Sequence, residues 1–387
     1  MLDWLIIGGG VHGTHLSLHL TRRGASPDRL RVLDPHAEPL ANWDRFSRNT
    51  GMGFLRSPVV HHIDIPAYSL MHFSDTSEGR MYKRFIFPFD RPSTALFSAH
   101  SHSIVRKNKL AELRIQGRAT GLSALPGGGY RVETETGSLE SKKVLLALSS
   151  ADMPRWPDWG LALRQAGAPI HHIFDPGFER DSLPSFRSAV VIGGGITAAQ
   201  VALAISRGTR GRVTLLTPHS PRVRWFDASP GWMGPLRING FRKEPCLETR
   251  RAIIRKARYK GSMPPEVRGQ LHQAQRIGKL TMRVGCVTSA TFAAGTTTLN
   301  CDDGTTFTPD AVLLATGFEL RRPGGPWLDR AIAEMNLPLA PCGYPIVDPT
   351  LSWAPGLHVT GPLAELEIGP AARNIVGARL AAERFSA

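Results

Sequence analysis

Short apolar runs alternate with glycine-rich turns and amphipathic stretches along most of this chain. Residues 5–7 form the first apolar run and lead directly into a turn of three glycines. Residues 11–23 follow with the apolar spacing of a helix, which Gly24 ends. A second apolar run, residues 30–33, ends on Asp34. This order predicts a strand, a helix and a second strand in one β-α-β unit.

The turn after the first strand has the pattern GxGxxG, formed by Gly8, Gly9, Gly10, Val11, His12 and Gly13. Glycines in such a turn let backbone N–H groups approach a pyrophosphate at the N-terminus of the helix. Asp34 and Pro35 follow at the end of the second strand. A carboxylate there accepts hydrogen bonds from ribose hydroxyls and repels a 2′-phosphate. These residues predict a site for FAD or NAD rather than NADP.

The same order of elements recurs in the second half of the chain. Apolar residues 189–192 lead into a GxGxxA turn, formed by Gly193, Gly194, Gly195, Ile196, Thr197 and Ala198. No acid ends the next strand, whereas Arg222 and Arg224 follow it, and guanidinium groups suit a 2′-phosphate. NADPH is the predicted ligand here, and NADH is the alternative if the arginines only face solvent. Two unlike dinucleotide sites imply electron transfer from NADPH to FAD.

Each of these units is followed by a stretch of alternating apolar and polar residues, at 117–140 and at 283–308. The pattern predicts an α/β fold with two Rossmann-like dinucleotide-binding domains, each with a parallel sheet plus a β-meander. We expect a discontinuous FAD-binding domain at residues 1–155 and 310–387. We expect an inserted NAD(P)H-binding domain at residues 156–309.

Composition narrows the class of protein further. The 387 residues include four widely spaced cysteines without a CxxC pair, which excludes the usual dithiol redox motif and CxxC-type zinc sites. No apolar run reaches the length of about 18 residues that spans a bilayer, and no signal peptide is recognisable, so we expect a cytoplasmic protein.

The formal net charge of +15 favours anionic partners, unless the charge is only spread over the surface. Basic residues are densest at 250–260, where the alternatives are a docking surface for an acidic carrier protein and a solvated helix face. We do not expect nucleic acid as a partner, and a homo-oligomer is compatible with the sequence.

Residues 310–318, Asp-Ala-Val-Leu-Leu-Ala-Thr-Gly-Phe, contain an ATG motif followed by an aromatic residue. With the two glycine turns, this motif makes the chain resemble the two-dinucleotide-binding flavoproteins, and within them the class B flavin monooxygenases. The resemblance extends over essentially the whole chain and is greatest to lysine/ornithine N-hydroxylase-like proteins. The FxGxxxHxxx(P/D) fingerprint of other branches is absent, and Gly361-Pro362 stands where disulfide reductases have Gly-Asp.

The resemblance implies further residues around the flavin. The region that matches residues 50–64 lines the flavin and substrate in the N-hydroxylases, so Met52 and Arg56 are candidate flavin contacts. Arg56, His61 and His62 are candidate catalytic residues, because imidazoles transfer protons near neutral pH. The alternative is a structural loop. The remaining candidate contacts with the cofactors are Ala315, Thr316, Gly317, Gly361, Gly369 and Pro370.

Gly369 and Pro370 are expected to begin a helix whose positive N-terminal end stabilises reduced flavin, the alternative being an ordinary closing helix. No metal site is expected, because the stripe of His12, His15 and His19 lacks the glutamate of HExxH.

The resemblance implies an NADPH-dependent flavin monooxygenase that oxygenates a nucleophilic nitrogen or sulfur of a small molecule with O2, through a C4a-peroxyflavin. One alternative is an NAD(P)H-dependent flavin reductase that transfers no oxygen. Another is a flavin-bearing binding protein with a basic docking surface. No acid–base pair in the sequence identifies the substrate.

Overall fold

The computed structural model describes residues 1–208 and 211–385. Its strands, in chain order, are β1 (Leu2–Ile7), β2 (Leu30–Asp34), β3 (Phe85–Ile86), β4 (Arg91–Pro92), β5 (Arg114–Gln116), β6 (Ala119–Ala124), β7 (Tyr130–Thr134), β8 (Gly137–Leu146), β9 (Ile170–His172), β10 (Ser188–Ile192), β11 (Arg212–Thr217), β12 (Arg222–Val223), β13 (Ser262–Met263), β14 (Thr281–Val284), β15 (Val287–Ala293), β16 (Thr296–Cys301), β17 (Thr306–Phe307), β18 (Ala311–Leu314), β19 (Ser352–Ala354) and β20 (Leu357–Val359).

The α-helices of the same residues are α1 (Val11–Arg22), α2 (Ala41–Thr50), α3 (Ser69–Ser74), α4 (Ser77–Arg80), α5 (Thr94–Lys107), α6 (Asp158–Gln165), α7 (Ile196–Gly208), α8 (Pro235–Lys243), α9 (Leu247–Ala257), α10 (Pro265–Arg276), α11 (Gly325–Glu334), α12 (Glu365–Ile368) and α13 (Ile375–Ala382). Short 3-10 helices lie at Pro27–Arg29, Leu110–Leu113, Arg180–Ser182, Pro230–Met233 and Gly361–Ala364.

The first lobe is built on a sheet with the strand order β19-β20-β8-β1-β2-β5. β1 pairs in parallel with β2 and with β8, and its residues Leu5 and Ile6 are completely buried. The long strand β8 also pairs antiparallel with β7, which pairs with β6, so the meander continues directly into the parallel sheet. β20 joins β8 in parallel and brings the end of the chain back into this lobe.

The second lobe contains a parallel sheet with the order β14-β11-β10-β18-β9. β15, β16 and β17 form a separate antiparallel sheet in the same lobe. The expected boundary at residue 310 needs correction, because it assigns β18 to the first domain whereas β18 lies between β10 and β9. All four residues of β18 are buried, as a strand covered on both faces requires. The mixed α/β architecture with two dinucleotide-binding units agrees with the predicted fold class.

Two antiparallel chain segments connect the lobes. The N–H of Arg155 donates to the carbonyl of Gly317 at 2.8 Å, and the N–H of Glu319 donates to the carbonyl of Met153 at 2.8 Å. The side chain of Asn49, in α2 of the first lobe, also donates to the carbonyl of Phe178 at 2.7 Å. These hydrogen bonds join the two lobes at residues 153–155 with 317–319, and at α2 with residue 178.

No helix among residues 1–208 and 211–385 is long and apolar enough to cross a membrane.

Candidate functional site

The first glycine turn leaves the N-terminus of α1 open. Gly8 has φ +109°, and a Cβ there would lie 2.5 Å from the carbonyl oxygen of Ala147. A Cβ on Gly13 would lie 1.8 Å from the carbonyl oxygen of Gly8, so both positions require glycine. Gly10 is the N-cap residue of α1, no side chain caps it, and a Cβ there would meet nothing within 4 Å. This open helix end has the geometry of an anion site.

The carboxylate of Asp34 lies beside this turn and is shared among several donors. It accepts hydrogen bonds from the N–H of Gly9 at 2.6 Å and from the N–H of His36 at 2.9 Å. The imidazole of His36 lies 2.9 Å away, and the guanidinium of Arg114 pairs with it at 3.1 Å. Asp34 is therefore positioned at the end of β2 as predicted, but its charge is balanced within the protein.

Arg114 is a residue that the sequence did not reveal. Its side chain is only 5% exposed, and a Cβ on Gly9 would lie 2.0 Å from its Nη1. Burial lowers the pKa of Arg114, and the neighbouring Asp34 counteracts this shift. Because β5 is far from the glycine turn in sequence and adjacent to β2 in the sheet, only the tertiary structure brings these residues together.

His12 links the first turn of α1 to the C-terminal segment. Its Nδ1 lies 2.9 Å from the hydroxyl of Thr360, and its Nε2 lies 3.1 Å from the carbonyl oxygen of Asn374. Burial lowers the pKa of His12 to about 4, so the ring is neutral at pH 7. Gly361, at φ +63°, packs against the same ring. The predicted contact residues His12 and Gly361 are thus brought together.

The predicted helix start at Gly369 and Pro370 is wrong. Gly369 has φ +90° and ends α12, and its backbone packs on Ile238 of α8. Turns closed by the N–H groups of Ala372 and Asn374 follow, and α13 begins only at Ile375. A left-handed glycine terminates one helix before the next can begin.

The second glycine turn repeats the geometry of the first. A Cβ on Gly193 would lie 2.5 Å from the carbonyl oxygen of Ala315, as a Cβ on Gly8 would from that of Ala147. Ala198 is completely buried against Gly193, which explains the alanine in the GxGxxA pattern. A Cβ on Gly195 would have only the Cα of Gly261 within 4 Å, so the turn is open next to α7. Thr197 and Ile196 lie in the first turn of that helix.

Thr217 ends β11 where Asp34 ends β2 in the first unit, and His219 follows two residues later. A Cβ on Gly194 would lie 2.8 Å from its Nε2, and a Cβ on Gly261 would lie 2.5 Å from the same atom. Its Nδ1 lies 2.9 Å from the carbonyl oxygen of Ser220. The imidazole therefore covers the second glycine turn, and its place two residues after the strand is the sequence signal that identifies it.

Arg222 and Arg224 are exposed on and next to β12, the short strand that follows His219. Neither has a carboxylate partner among the residues that the structure describes. Arg222 donates weakly to the carbonyl of Lys260 at 3.4 Å, and Arg224 lies 5.3 Å from the ring centroid of Tyr259. Both side chains are therefore exposed and not neutralised by a carboxylate of the described residues.

The side chain of Arg56 crosses from the first lobe to the second. It donates to the carbonyl oxygens of Trp225 at 3.1 Å, Arg224 at 2.8 Å and Phe226 at 2.6 Å. It also donates to the hydroxyl of Ser262 at 2.9 Å. Burial lowers the pKa of Arg56 to about 10, so it remains charged. Arg56 thus attaches the loop after α2 to the segment that carries Arg224.

A second arginine reinforces this contact. Arg91 is 1% exposed, and it pairs with Glu266 of α10 at 2.7 Å. Its guanidinium lies 5.5 Å from the ring centroid of Trp225, and Phe89 packs on Phe226 with ring centroids 4.8 Å apart. We call Arg56, Arg91 and their partners on residues 224–226, 262 and 266 the interlobe latch.

His61 and His62 have different environments. The ring of His62 is completely buried, with Nε2 3.0 Å from the carbonyl oxygen of Ala67 and Nδ1 accepting from the N–H of Asp64. The ring of His61 makes no hydrogen bond within the described part of the chain. Burial lowers the pKa of each to about 4, and the nearby Arg379 adds to both shifts. His62 organises the loop, whereas the buried ring of His61 has no such role among the described residues.

The structure adds Asp227 to the candidate site. Its carboxylate lies 3.3 Å from Arg258 and 3.3 Å from the amide nitrogen of Asn374, the N-cap residue of α13. It also counteracts the lowering of the pKa of His61 and Arg56. Asp227 therefore lies where the second lobe meets the C-terminal helix, a relation that no sequence spacing indicates.

Two further predicted contact residues, Met52 and Thr316, lie in different parts of the structure. Met52 lines a cavity of about 400 Å³ between α2 and α5, and its carbonyl accepts from the hydroxyl of Thr94 at 2.7 Å. Thr316 donates to the carbonyl of Arg155, so the ATG motif lies at the connection between the lobes.

The basic run at residues 250–260 is not one exposed face. Arg250 pairs with Glu367 at 3.1 Å, and the buried Arg251 contacts Glu365. Because α9 ends at Ala257, Arg258 lies outside the helix that carries Arg251 and Arg255. The members of the run that are exposed and charged are Arg255, Lys256 and Lys260.

No protein-family model and no curated protein sequence matches the chain. Solved structures do match it. The FAD-bound cadaverine monooxygenase DfoA from Erwinia amylovora has a TM-score of 0.75 at 14% identity, with 99% of this chain and 94% of that chain covered. The chain has the fold of a flavin monooxygenase. This confirms, for the fold, the resemblance that the glycine turns and the ATG motif indicated.

Two further structures show that proteins with different activities share this fold. Ornithine hydroxylase PvdA from Pseudomonas aeruginosa has a TM-score of 0.75 at 17% identity, with 100% and 98% of the two chains covered. The bacillithiol disulfide reductase Bdr from Bacillus cereus has a TM-score of 0.62 at 18% identity, with 100% and 97% covered. The fold is therefore shared by monooxygenases and by a reductase, and the site must decide between them.

Proposed function

We propose that this protein is an FAD- and NADPH-dependent monooxygenase that oxygenates a nucleophilic nitrogen of a small molecule. The observation that carries the proposal is the pair of open glycine turns with unlike surroundings. The first turn has a carboxylate at the end of its second strand, and the other has His219, Arg222 and Arg224 in that region. The matched cadaverine monooxygenase and ornithine hydroxylase support the choice of nitrogen over sulfur, because cadaverine and ornithine contain amines and no sulfur.

The residues of the first turn fit FAD. The open N-terminus of α1 would hold the pyrophosphate, and Asp34 would accept hydrogen bonds from the adenosine ribose in competition with the partly exposed His36 ring. Replacing Asp34 with alanine is expected to weaken FAD retention by about 1–3 kcal/mol. The flavin absorbance retained after dialysis measures the effect, and full retention would refute this assignment.

The residues of the second turn fit NADPH. Arg222 and Arg224 are exposed cations without acidic partners, and the imidazole of His219 faces the turn itself. Together they would hold the 2′-phosphate of NADPH. NADH has only a hydroxyl at this position, which cannot form the same charged hydrogen bonds. The interlobe latch holds this segment against the first lobe through backbone carbonyls.

When bound, FAD would accept a hydride from NADPH and activate O2. The chain's own residues prepare the space between the lobes. His61 is neutral at pH 7, so its ring adds no positive charge beside an amine and can accept a proton at the nitrogen that holds the lone pair. Arg56 and Arg91 exclude water from the lobe interface by filling it with paired side chains.

The alternative of a flavin reductase is favoured by one observation, the shared fold of Bdr. Purified protein should be supplied with NADPH under air and with a panel of amines, including cadaverine, ornithine and lysine, and one organic sulfide. A monooxygenase forms a hydroxylamine in proportion to the NADPH consumed. If no amine or sulfide is oxygenated and all reducing equivalents reach H2O2 or an added quinone, the reductase alternative replaces the proposal.

All four cysteines are free in the structure, which supports a reducing compartment such as the cytoplasm for this reaction. An acidic carrier would be limited to the exposed part of the basic run, Arg255, Lys256 and Lys260. The oligomeric state stays a prediction.

A further inference from the structure

One surface segment carries large apolar side chains that the core does not use. Within residues 80–89, Phe87 is 76% exposed, Met81 72%, Tyr82 39% and Phe89 38%. Single exposed apolar residues are common on proteins, whereas a contiguous group marks a surface for interaction. We call residues 80–89 the aromatic segment.

The exposure is not a consequence of a poorly held loop. β3 lies within this segment and pairs with β4, which follows it. The N–H of Ser93 also donates to the carbonyl of Arg84 at 2.8 Å. Arg91 anchors the base through its buried ion pair with Glu266. Phe89 packs one face on Phe226, which leaves Phe87 at the projecting tip. The aromatic segment is therefore presented by a fixed base.

The charges of the segment are all positive. Arg80, Lys83 and Arg84 are exposed, and no acid occurs between residues 80 and 89. Lys83 pairs with Asp75, whereas Arg80 and Arg84 have no ion-pair partner among residues 1–208 and 211–385. The whole chain carries a formal net charge of +15.

We propose that the aromatic segment docks this protein on an anionic lipid surface. Aromatic rings and methionine would enter the headgroup region, while arginine and lysine heads would remain at the phosphates. A second copy of the chain fits less well, because it would bring the same unpaired cations and the same net charge to the contact. An uncharged bilayer would bury the apolar side chains but would not attract the arginine and lysine side chains.

This docking would place the catalytic region close to the membrane. The loop that carries Arg56 and His61 is joined to the turn between β3 and β4, because the N–H of Val59 donates to the carbonyl of Asp90 at 3.1 Å. The inference does not rest on the proposed oxygenation, since a reductase with this surface would dock equally.

Sedimentation with lipid vesicles tests the proposal. The full chain, saturated with FAD, is mixed with vesicles of phosphatidylcholine alone or of phosphatidylcholine with phosphatidylglycerol. We expect binding only to the anionic vesicles, and less of it at high salt. Phe87→Ser should weaken vesicle binding by about tenfold, because it removes an aromatic side chain that would be buried in the lipid surface. Arg80→Gln combined with Arg84→Gln should weaken it as well.

A matched control is Leu236→Ser, which removes a side chain that is 84% exposed in α8. It should leave vesicle binding unchanged. The proposal is overturned if the wild type does not sediment with anionic vesicles, or if Leu236→Ser weakens binding as much as Phe87→Ser. It is also overturned if Phe87→Ser leaves vesicle binding intact and instead dissociates a dimer or abolishes binding to duplex DNA. Unchanged circular dichroism of each variant shows that folding is retained.

Discussion

Replacing Arg56 with methionine tests the interlobe latch most directly. Methionine preserves much of the length and apolar stem of arginine and removes every donor. The carbonyl oxygens of Arg224, Trp225 and Phe226 would lose donors now at 2.8, 3.1 and 2.6 Å. Hydrogen bonds from a charged donor are each worth about 1.5–3 kcal/mol, and bonds made by one group do not add fully. We expect residues 222–226 to open more easily by about 2–4 kcal/mol.

Hydrogen exchange measures this local opening without requiring the two lobes to unfold together. An expected change of about 2–4 kcal/mol corresponds to amide exchange that is about 30-fold to 1,000-fold faster in this segment. Amides of the first sheet should keep their rates. The control is Arg48→Met, because Arg48 is exposed on α2. If the Arg56 and Arg48 variants exchange alike at residues 222–226, the structural role assigned to Arg56 is wrong.

The same variant links the latch to nucleotide binding. Because Arg56 holds the backbone of Arg224, its loss should raise the KM for NADPH more than the KM for NADH. Flavin content should change little, since Arg56 makes its hydrogen bonds to the second lobe. Arg56→Lys retains the charge and should restore part of the effect.

Three other predictions concern the glycine turns, the phosphate contacts and pH. Gly10→Ala should release FAD but leave the stability of the FAD-free protein unchanged, because its Cβ would enter open space. Gly13→Ala should unfold the turn, because its Cβ would clash with Gly8; equal melting temperatures for the two FAD-free variants would contradict this. Replacing both Arg222 and Arg224 with alanine should raise the KM for NADPH far more than that for NADH, and equal increases would exclude a phosphate contact. The free energy of unfolding should have its full value above pH 6.5 and decrease as the pH falls towards 4, because buried neutral histidines such as His12 take up protons only on unfolding. Urea unfolding that is identical at pH 7 and pH 5 would refute this.

The parts that sequence alone predicted are those that depend on short stretches of backbone. Gly8 and Gly193 have conformations that only glycine adopts without strain, and each lies in the turn before a largely buried helix, α1 or α7. The apolar runs that became β1 and β10 are buried on both faces of their sheets, so their composition already indicated parallel strands. Because each strand, turn and helix depends on a short stretch of the chain, their order was sufficient to suggest the two-lobed fold.

The tertiary structure decided which distant residues meet. Arg56 was predicted beside a flavin, yet its donors go to carbonyl groups more than 160 positions away along the chain. Arg114 reaches Asp34 only because β5 pairs with β2. Asp227 meets Asn374 where a loop of the second lobe contacts the start of α13. Local periodicity carries no information on such pairs, because they arise from how the sheets and lobes pack.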